Sequence, residues 1–374
     1  MKVVFLMRID AYSKKGGDTV QIENYVKELT FLGIDARISV DLNEDLIDAD
    51  IVHLVNIDRP LETYYFFKNA KRLGKKIVLS PIHHSYQHID LHETYGRYGV
   101  LKSFNLILKD YWTREKMKNV LRVVLNKKLR SIRKDIKEPV FEQQQLILNN
   151  VDGIALIAEG EGKAIEEDFN IKIKNSIIVP NGVSFNNTTV NNKIEKEIDV
   201  LVVGRIESRK NQINIIKALK DTEKKVTFVG KANPNHKKYY KEFIKLVNKH
   251  SNIEYITEVS HDEINKLYKK SKVHLSASWF EVSPLVDIEA LYNGCTVVAS
   301  EHSFSKSYLG KNVYYVAPND LKDIKTKVLL ALKQPINEMS NDKLHQTFNW
   351  RNSALILKEF YTSLVKVNGG DQNS

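Results

Sequence analysis

Short apolar runs alternate with helical patterns along most of the chain, and this alternation constrains the fold more than any other feature. The first run is KVVFLM at residues 2–7, and later ones include DIVHLVN, KIVLSPI, DVLVVG and VHLSAS. Runs that are apolar throughout are typical of strands buried on both faces of a parallel sheet. The segments between them carry apolar residues at helical spacing. The pattern therefore predicts an α/β fold made of βαβ units in doubly wound sheets.

Two segments interrupt the alternation and suggest how the chain is divided. Residues from about 95 to 150 are helical and basic without strand signals, and the polar run NNTTVNNKIEKE at 186–197 follows a Pro-Asn-Gly turn. A chain of 374 residues is long enough for two domains. We expect a Rossmann-like first domain, 1–180, with a helical insertion at about 95–150. A second Rossmann-like domain should span 181–345, and a C-terminal helix, 346–366, should pack back on the first domain.

Cysteine content and apolar run length bear on where the protein works. Cys295 is the one cysteine, so no intrachain disulfide can form, as is usual in a reducing compartment. No apolar run approaches the roughly 20 residues that a membrane-spanning helix needs. The expected location is the cytoplasm, either free or peripheral at the inner face of the membrane.

Positive charge is concentrated in residues 97–137. This segment has thirteen lysines and arginines and three acids, a balance of 13 − 3 = +10 against +11 for the whole chain. Phe104, Leu106–Leu108, Tyr111 and Trp112 are interleaved with the cations. The segment is either a solvated helix face or a contact surface for an anionic membrane. Nucleic acid fits less well, because no recognised binding module is present.

Loops after the strands of the second domain carry residues suited to an anionic ligand. Arg205 and Lys210 follow the run DVLVVG, at the carboxyl end of a predicted strand. Open α/β sheets bind ligands at this edge, and two cations there suit a phosphate or diphosphate. The alternative is a solvated turn with unrelated charges.

A second loop, SWFEVSPLVDIEALYNG, leads into a predicted helix. Ser283 suits the N-cap and Pro284 the first helical position, so the free N–H groups at this helix start would form an anion site. Glu281 lies just before the helix and Glu289 lies within it, eight positions later. The alternative is that both glutamates are solvated surface acids, which is their usual place.

These motifs together resemble the family 4 retaining glycosyltransferases of glycosyltransferase group 1, which have the GT-B fold. The resemblance rests on GRIESRKN, on SWFEVSPLVDIEALYNGCTVVAS with its Glu281–Glu289 spacing, on IIVPNGV and on the early GGDT. It implies two Rossmann-like domains whose parallel sheets face a cleft. It also implies sugar transfer from a nucleotide-diphosphate donor to a glycan or polyisoprenyl-linked acceptor, in bacterial surface polysaccharide synthesis. Neither a metal nor another cofactor is expected.

The same resemblance implies roles for individual residues. Arg205 and Lys210 would neutralise the leaving diphosphate, Glu281 would contact the donor sugar, and Glu289 would hold the ribose. Gly16 and Gly17 of the first domain would let a loop approach the diphosphate. The remaining donor-binding positions are Ser283, Pro284, Leu285 and Gly204.

Histidines after a first-domain strand complete the predicted site. His83 or His84, in KIVLSPIHHSYQH, is expected to contact the donor sugar or the acceptor. His84, His88 and His92 also have the i, i+4, i+8 spacing of a helical metal site, a less favoured alternative.

Two other functional classes remain open from the sequence. One is a non-catalytic GT-B scaffold that binds a nucleotide or glycan, and the other is a basic nucleic-acid-binding protein. A dinucleotide dehydrogenase is disfavoured, because no Gly-x-Gly-x-x-Gly follows the first strand.

Overall fold

The computed structural model describes residues 1–98, 110–183, 195–336 and 339–366. The chain divides into two compact units, each built from separate stretches of sequence. Unit 1 consists of Met1–Ser85, Leu108–Gly182 and Thr347–Ser374, and unit 2 of Tyr86–Ile107 and Val183–Gln346. The expected insertion on the first domain is thus divided, because its beginning groups with unit 2. Most of the polar run at 186–197, interpreted from the sequence as the interdomain linker, lies outside the described residues.

Unit 1 contains a six-stranded sheet within the described residues, in the order β2-β1-β3-β4-β5-β6 with every pair parallel. Val3, Val4 and Phe5 of the first strand have no solvent exposure, as expected for a strand covered on both faces. The strands are β1 Lys2–Leu6, β2 Asp35–Ser39, β3 Ile51–Val55, β4 Lys76–Ser80, β5 Gly153–Leu156 and β6 Ser176–Ile178.

Helices of unit 1 flank this sheet and occupy most of the basic segment. The α-helices are α1 Gly17–Phe31, α2 Pro60–Arg72, α4 Tyr111–Leu125, α5 Val140–Asn150, α6 Glu159–Phe169 and α14 Trp350–Lys366. Lys127–Lys137 forms a 3-10 helix between α4 and α5. The C-terminal helix α14 packs against α1, and its Tyr361 hydroxyl lies 2.5 Å from Nδ1 of the buried His53 on β3.

Unit 2 contains a second six-stranded parallel sheet among the described residues, in the order β12-β11-β10-β7-β8-β9. Its strands are β7 Ile198–Val203, β8 Val226–Val229, β9 Ile253–Ile256, β10 Ser271–Ser276, β11 Thr296–Ser300 and β12 Tyr314–Val316. Its helices are α3 Tyr86–Leu91, α7 Gln212–Leu219, α8 Lys237–Lys249, α9 His261–Lys269, α10 Leu285–Tyr292, α11 Lys306–Leu309, α12 Leu321–Lys333 and α13 Asn341–Thr347.

Strand order fixes where a ligand site can lie in each sheet. The order reverses direction between β1 and β3 in unit 1 and between β7 and β10 in unit 2. A crevice opens outside the carboxyl ends of the strands at such a reversal. The loops after β7 and β10 are those that carry the cations and the first glutamate predicted from the sequence, so the topology brings these residues to one edge.

Among the helices of the described segments, none combines the length and the apolar character required to cross a bilayer.

Candidate functional site

A short turn after β7 sets the positions of the cations. Ser208–Lys210 forms one turn of 3-10 helix, and Asn211 ends it with a left-handed backbone, φ 63°. The Asn211 side-chain amide donates to the carbonyls of Ala277 and Pro318, at 2.9 and 2.7 Å. The turn is therefore tied to the segments that follow β10 and β12.

Gly204, predicted to bind the donor, has a clear structural use in this turn. Its φ of 152° is a conformation that residues with a Cβ rarely adopt. The Lys210 side chain also lies over it, since a Cβ at this position would be 3.5 Å from Lys210 Cε. Glycine is therefore favoured at position 204 by the backbone conformation, since a Cβ there would make only an ordinary contact with Lys210.

Glu281 joins the two loops through ion pairs. Its Oε1 lies 2.5 Å from Lys210 Nζ and 2.7 Å from Arg209 Nη1. The Glu281 side chain is 11% exposed, against 17% for Lys210 and 23% for Arg209. Burial alone would raise the pKa of Glu281, but the charges of Arg209 and Lys210 outweigh it and hold that pKa far below its usual range. Arg209 is a site residue that the sequence interpretation missed.

Arg205 lies at the edge of this cluster. Its side chain is 50% exposed, and its Nη2 is 3.9 Å from Oε1 of the buried Glu207. Glu207 also pairs with Arg209 at 3.2 Å and accepts a hydrogen bond from Asn233 Nδ2 at 2.6 Å. The cluster thus holds three cations and two carboxylates, a net charge of 3 − 2 = +1.

The helix after the second loop begins one residue later than predicted. α10 starts at Leu285 with Pro284 as its N-cap, so no side chain caps this end. The Ser283 hydroxyl is instead 3.0 Å from the Tyr308 hydroxyl. Assigning Ser283 as the N-cap was therefore wrong, because its side chain finds a partner on α11. The N–H groups at the start of α10 lack a capping side chain, which leaves them suited to an anion.

Glu289 lies in the middle of α10, with its side chain 18% exposed. Its Oε1 is 3.7 Å from His261 Nε2, and its Oε2 accepts a 3.5 Å hydrogen bond from Tyr268. Interaction with this carboxylate raises the pKa of His261 above its usual value. Glu289 is therefore not a simple solvated acid.

Residues 86–98 support the cation turn within unit 2, an arrangement that was not predicted from the sequence. His92 begins a π-helical turn, His92–Gly96, and its Nε2 lies 3.1 Å from Ser208 Oγ. Burial lowers the pKa of His92 to about 3, so the ring is neutral. A Cβ on Gly96 would lie 2.6 Å from Trp279 Nε1, so the turn packs directly against the second loop.

His88 supports the same loop from another side. Its ring stacks on His302 with centroids 4.1 Å apart, and the His302 carbonyl accepts the Glu281 N–H at 3.2 Å. His84, by contrast, bonds to Asp58 in unit 1. The three histidines therefore have separate partners, and no group able to hold a metal occurs within the residues that the structure describes.

The two first-domain histidines differ in accessibility. His83 is fully buried, and its Nδ1 and Nε2 lie 2.7 and 2.9 Å from carboxylate oxygens of Asp58 and Asp168. Burial would lower its pKa, but these carboxylates outweigh it and raise the pKa of His83 to about 9. A side chain enclosed in this way cannot touch a substrate. His84, whose side chain is 23% exposed, is the candidate that remains.

Gly16 and Gly17 lie where β1 leads into α1, and Arg8 organises this loop. Arg8 Nε and Nη2 donate to both carboxylate oxygens of Asp18, and Nη1 donates to Asp10 at 2.7 Å. Gly16 lies against this ion pair, since a Cβ there would be 2.9 Å from Asp18 Oδ1. Gly17 has no atom within 4 Å of a Cβ position, so its surroundings are open.

Comparison with known proteins identifies the domain that carries the cation cluster. Residues 184–347 match the family of group 1 glycosyl transferases. The protein is a glycosyltransferase. The match covers the loops after β7 and β10, with Lys210, Glu281 and Glu289. No curated protein sequence matches the chain.

Solved structures similar to this glycosyltransferase share its fold over nearly the whole chain. Sucrose-phosphate synthase from Thermosynechococcus elongatus aligns with a TM-score of 0.72 at 11% identity, covering 98% of this chain and 99% of that one. HepE from Anabaena, in complex with UDP-glucose, aligns with a TM-score of 0.68 at 12% identity, covering 97% and 100%. The lipopolysaccharide outer core galactosyltransferase WaaB gives 0.60 at 15%, covering 96% and 100%. The predicted GT-B fold is confirmed.

Proposed function

We propose that this glycosyltransferase is a retaining family 4 enzyme. It transfers a sugar from a nucleotide-diphosphate donor to a glycan or polyisoprenyl-linked acceptor, without a metal, at the cytoplasmic face of a bacterial membrane. Assembly of a surface polysaccharide is the proposed setting. Two similar structures support parts of this proposal: HepE is in complex with UDP-glucose, and WaaB is a lipopolysaccharide outer core galactosyltransferase.

The observation that carries the proposal is the convergence of Arg209 and Lys210 on Glu281 at the strand-order reversal of unit 2. One carboxylate holds two cations in fixed positions just before the uncapped start of α10. A diphosphate placed there would meet cations and helix N–H groups that are already oriented. Such preorganised groups stabilise charge that develops in a transition state.

The proposed reaction breaks the bond between the anomeric carbon and the diphosphate oxygen, and the bonding electrons leave with the nucleotide diphosphate. The acceptor hydroxyl forms the new bond on the same face of the sugar, and its proton passes to the leaving phosphate. Arg209, Lys210 and the more exposed Arg205 would stabilise the growing negative charge. No carboxylate nucleophile is needed in this scheme, in contrast to retaining glycosidases.

The other predicted site residues have subsidiary roles in this proposal. Glu281 would fix the cations as well as meet the donor sugar, and Glu289 would bind ribose hydroxyls. Leu285 would offer a backbone N–H to the diphosphate, next to Ser283 and Pro284. Gly16 and Gly17 would allow close approach of the unit 1 loop, and His84 would contact the sugar or the acceptor.

The test combines a binding measurement with a turnover measurement. UDP, GDP and ADP sugars are screened by thermal shift, and the true donor should raise the melting temperature by mass action. The same donor should be hydrolysed slowly without acceptor, and the configuration of the released sugar should be retained. Lys210→Ala should reduce the thermal shift and slow the hydrolysis by about 10²–10³, whereas Lys238→Ala, which changes an exposed lysine on α8, should preserve both responses. The proposal fails if no nucleotide sugar shifts the wild-type protein or if hydrolysis proceeds with inversion.

A further inference from the structure

Helix α4 exposes four aliphatic side chains in its C-terminal half and buries two polar residues together with Val123. Its exposed aliphatic residues, called here the apolar ridge, are Val120 (40%), Leu121 (54%), Val124 (59%) and Leu125 (82%). Their i, i+1, i+4, i+5 spacing places them on one face. The buried residues of the same helix include Arg114 and Asn119. A contiguous exposed aliphatic patch of this kind marks an interaction site.

Exposed cations lie before and after the apolar ridge in the sequence. Within Tyr111–Lys137 the exposed cations are Lys116, Lys127, Lys128, Arg130, Arg133, Lys134 and Lys137. Across the part of the chain that the structure describes, none of these seven forms an ion pair with a carboxylate, whereas Arg122 pairs with Glu62 on α2. The 3-10 helix buries Leu129 and Ile132, so its cations face outward. The aliphatic patch therefore lies within a field of positive charge.

We propose that the apolar ridge and its bordering cations dock this protein on an anionic lipid bilayer. Aliphatic side chains would enter the boundary between headgroups and acyl chains, while the lysines and arginines would meet anionic headgroups. This inference does not depend on the proposed donor chemistry.

The structure relocates the membrane contact expected from the sequence. Trp112 and Tyr111 are only partly exposed, and Trp112 packs edge-to-face on Phe141 with ring centroids 5.0 Å apart. Trp112 thus holds α4 on α5, and Tyr111 packs edge-to-face on Trp112, so neither ring forms an insertion surface. Phe104 and Leu106–Leu108 lie outside the described residues. The apolar contact falls instead on the C-terminal half of α4.

Nucleic acid and a second copy of the chain fit this surface less well than a bilayer. Polynucleotides are bound by cations and by aromatic residues on which bases stack, and exposed aliphatic side chains add little to such contacts. A symmetric dimer across the apolar ridge would bring two sets of like charges together, which is unfavourable. An anionic bilayer can bind both groups, because its acyl chains accept the aliphatic residues and its headgroups attract the cations.

Vesicle flotation tests the proposal with the full-length protein. Vesicles of phosphatidylcholine containing phosphatidylglycerol should carry the protein, and vesicles of phosphatidylcholine alone should not. Leu121→Ser/Leu125→Ser should weaken partitioning at least tenfold, because each substitution removes the favourable free energy of transferring a leucine side chain from water into the bilayer. Lys127→Gln/Lys128→Gln should weaken it about 25-fold, or about fivefold for each cation near an anionic surface.

Matched variants separate the ridge from general surface properties. Phe31→Ser removes an apolar side chain that is 68% exposed on α1, and Lys237→Gln/Lys238→Gln removes adjacent exposed lysines on α8. Both should leave vesicle binding unchanged, and all variants should keep the wild-type melting temperature.

Three outcomes would overturn the inference. One is failure of the wild type to float with the anionic vesicles. Another is tighter retention on single-stranded DNA than on vesicles, unaffected by the leucine substitutions. The third is a dimer in sedimentation equilibrium that dissociates in the double-leucine variant.

Discussion

Lys210 and Glu281 lie 71 positions apart in the sequence and form an ion pair of 2.5 Å across neighbouring loops. The pair holds the loop after β7 to the loop after β10, and Glu281 also binds Arg209. The positions of both cations thus depend on the one carboxylate of Glu281. Changing the carboxylate and changing a cation should therefore have different consequences.

Lys210→Ala should lower kcat/KM for donor turnover by about 10²–10³, because it removes a preorganised charge next to the leaving group. Its effect on unfolding should be small, since Glu281 keeps its pairing with Arg209. Glu281→Gln should instead lower the free energy of unfolding by about 3–5 kcal/mol, as is typical when one partner of a buried ion pair is lost. Steady-state kinetics and denaturant unfolding of both variants separate the two effects. Equal losses of stability in the two variants would contradict this assignment.

Gly96→Ala should weaken donor binding although Gly96 belongs to the π-helical turn and not to the cation cluster. A Cβ at this position would lie 2.5 Å from His92 Cδ2 and 2.6 Å from Trp279 Nε1, so the turn must shift away from the second loop. Overpacking of this kind costs about 1–3 kcal/mol in stability. We expect a lower melting temperature and a higher KM for the donor, measured by thermal unfolding and initial rates. An unchanged KM would show that the turn does not position the site.

Gly16→Ala and Gly17→Ala should differ, because their surroundings differ. A Cβ on Gly16 would press on the Arg8–Asp18 ion pair, so this variant should lose about 1–2 kcal/mol of stability. Gly17 has open space around it, so its variant should unfold like the wild type. If the loop approaches the diphosphate as proposed, Gly17→Ala should still raise the donor KM several-fold. Loss of stability without a change in KM would refute that role.

His83→Gln should remove a pH dependence of stability on the alkaline side. The pKa of His83 is raised from 6.5 to about 9, so its stabilisation is complete below pH 6.5 and is lost as pH rises through 9. The difference in unfolding free energy between wild type and variant should fall by about 3 kcal/mol over that interval, at about 1.4 kcal/mol per pKa unit.

His53→Gln is the matched control for the His83 experiment. His53 is also fully buried, but burial lowers its pKa to about 3, so its contribution is lost as pH falls below 6.5. The wild-type advantage over this variant should therefore shrink in acid and stay constant in alkali. Denaturant unfolding from pH 4 to pH 10 measures both variants, and parallel curves for His83→Gln would exclude the proposed charge state.

The sequence predicted the fold well because the strands are apolar throughout and recur at regular intervals. It could not predict which partners distant side chains would meet. From the sequence, His83 looks like a polar loop residue, but in the structure it is enclosed by Asp58 and Asp168. Arg209 likewise looks like an exposed cation, but it pairs with Glu281.

The position of residues 86–98 in unit 2 could not be predicted from the sequence pattern for a similar reason. Helical periodicity is local, whereas the contacts of His92 with Ser208 and of His88 with His302 join residues more than a hundred positions apart. The one-residue error at α10 has a local origin. Ser283 suits an N-cap by composition, but its hydroxyl bonds to Tyr308.

Helix α14 has a consequence for how this protein is made. Its Phe360 and Leu364 lie against Gly153 on β5, and its Tyr361 reaches His53 on β3, so the last described helix completes the core of the unit that begins the chain. During synthesis from the amino terminus, every strand of unit 2 emerges before this helix does. The core of unit 1 therefore lacks its last helix while unit 2 is translated, and the surface that α14 covers stays exposed. Truncations before residue 350 should expose that surface to chaperones and proteases.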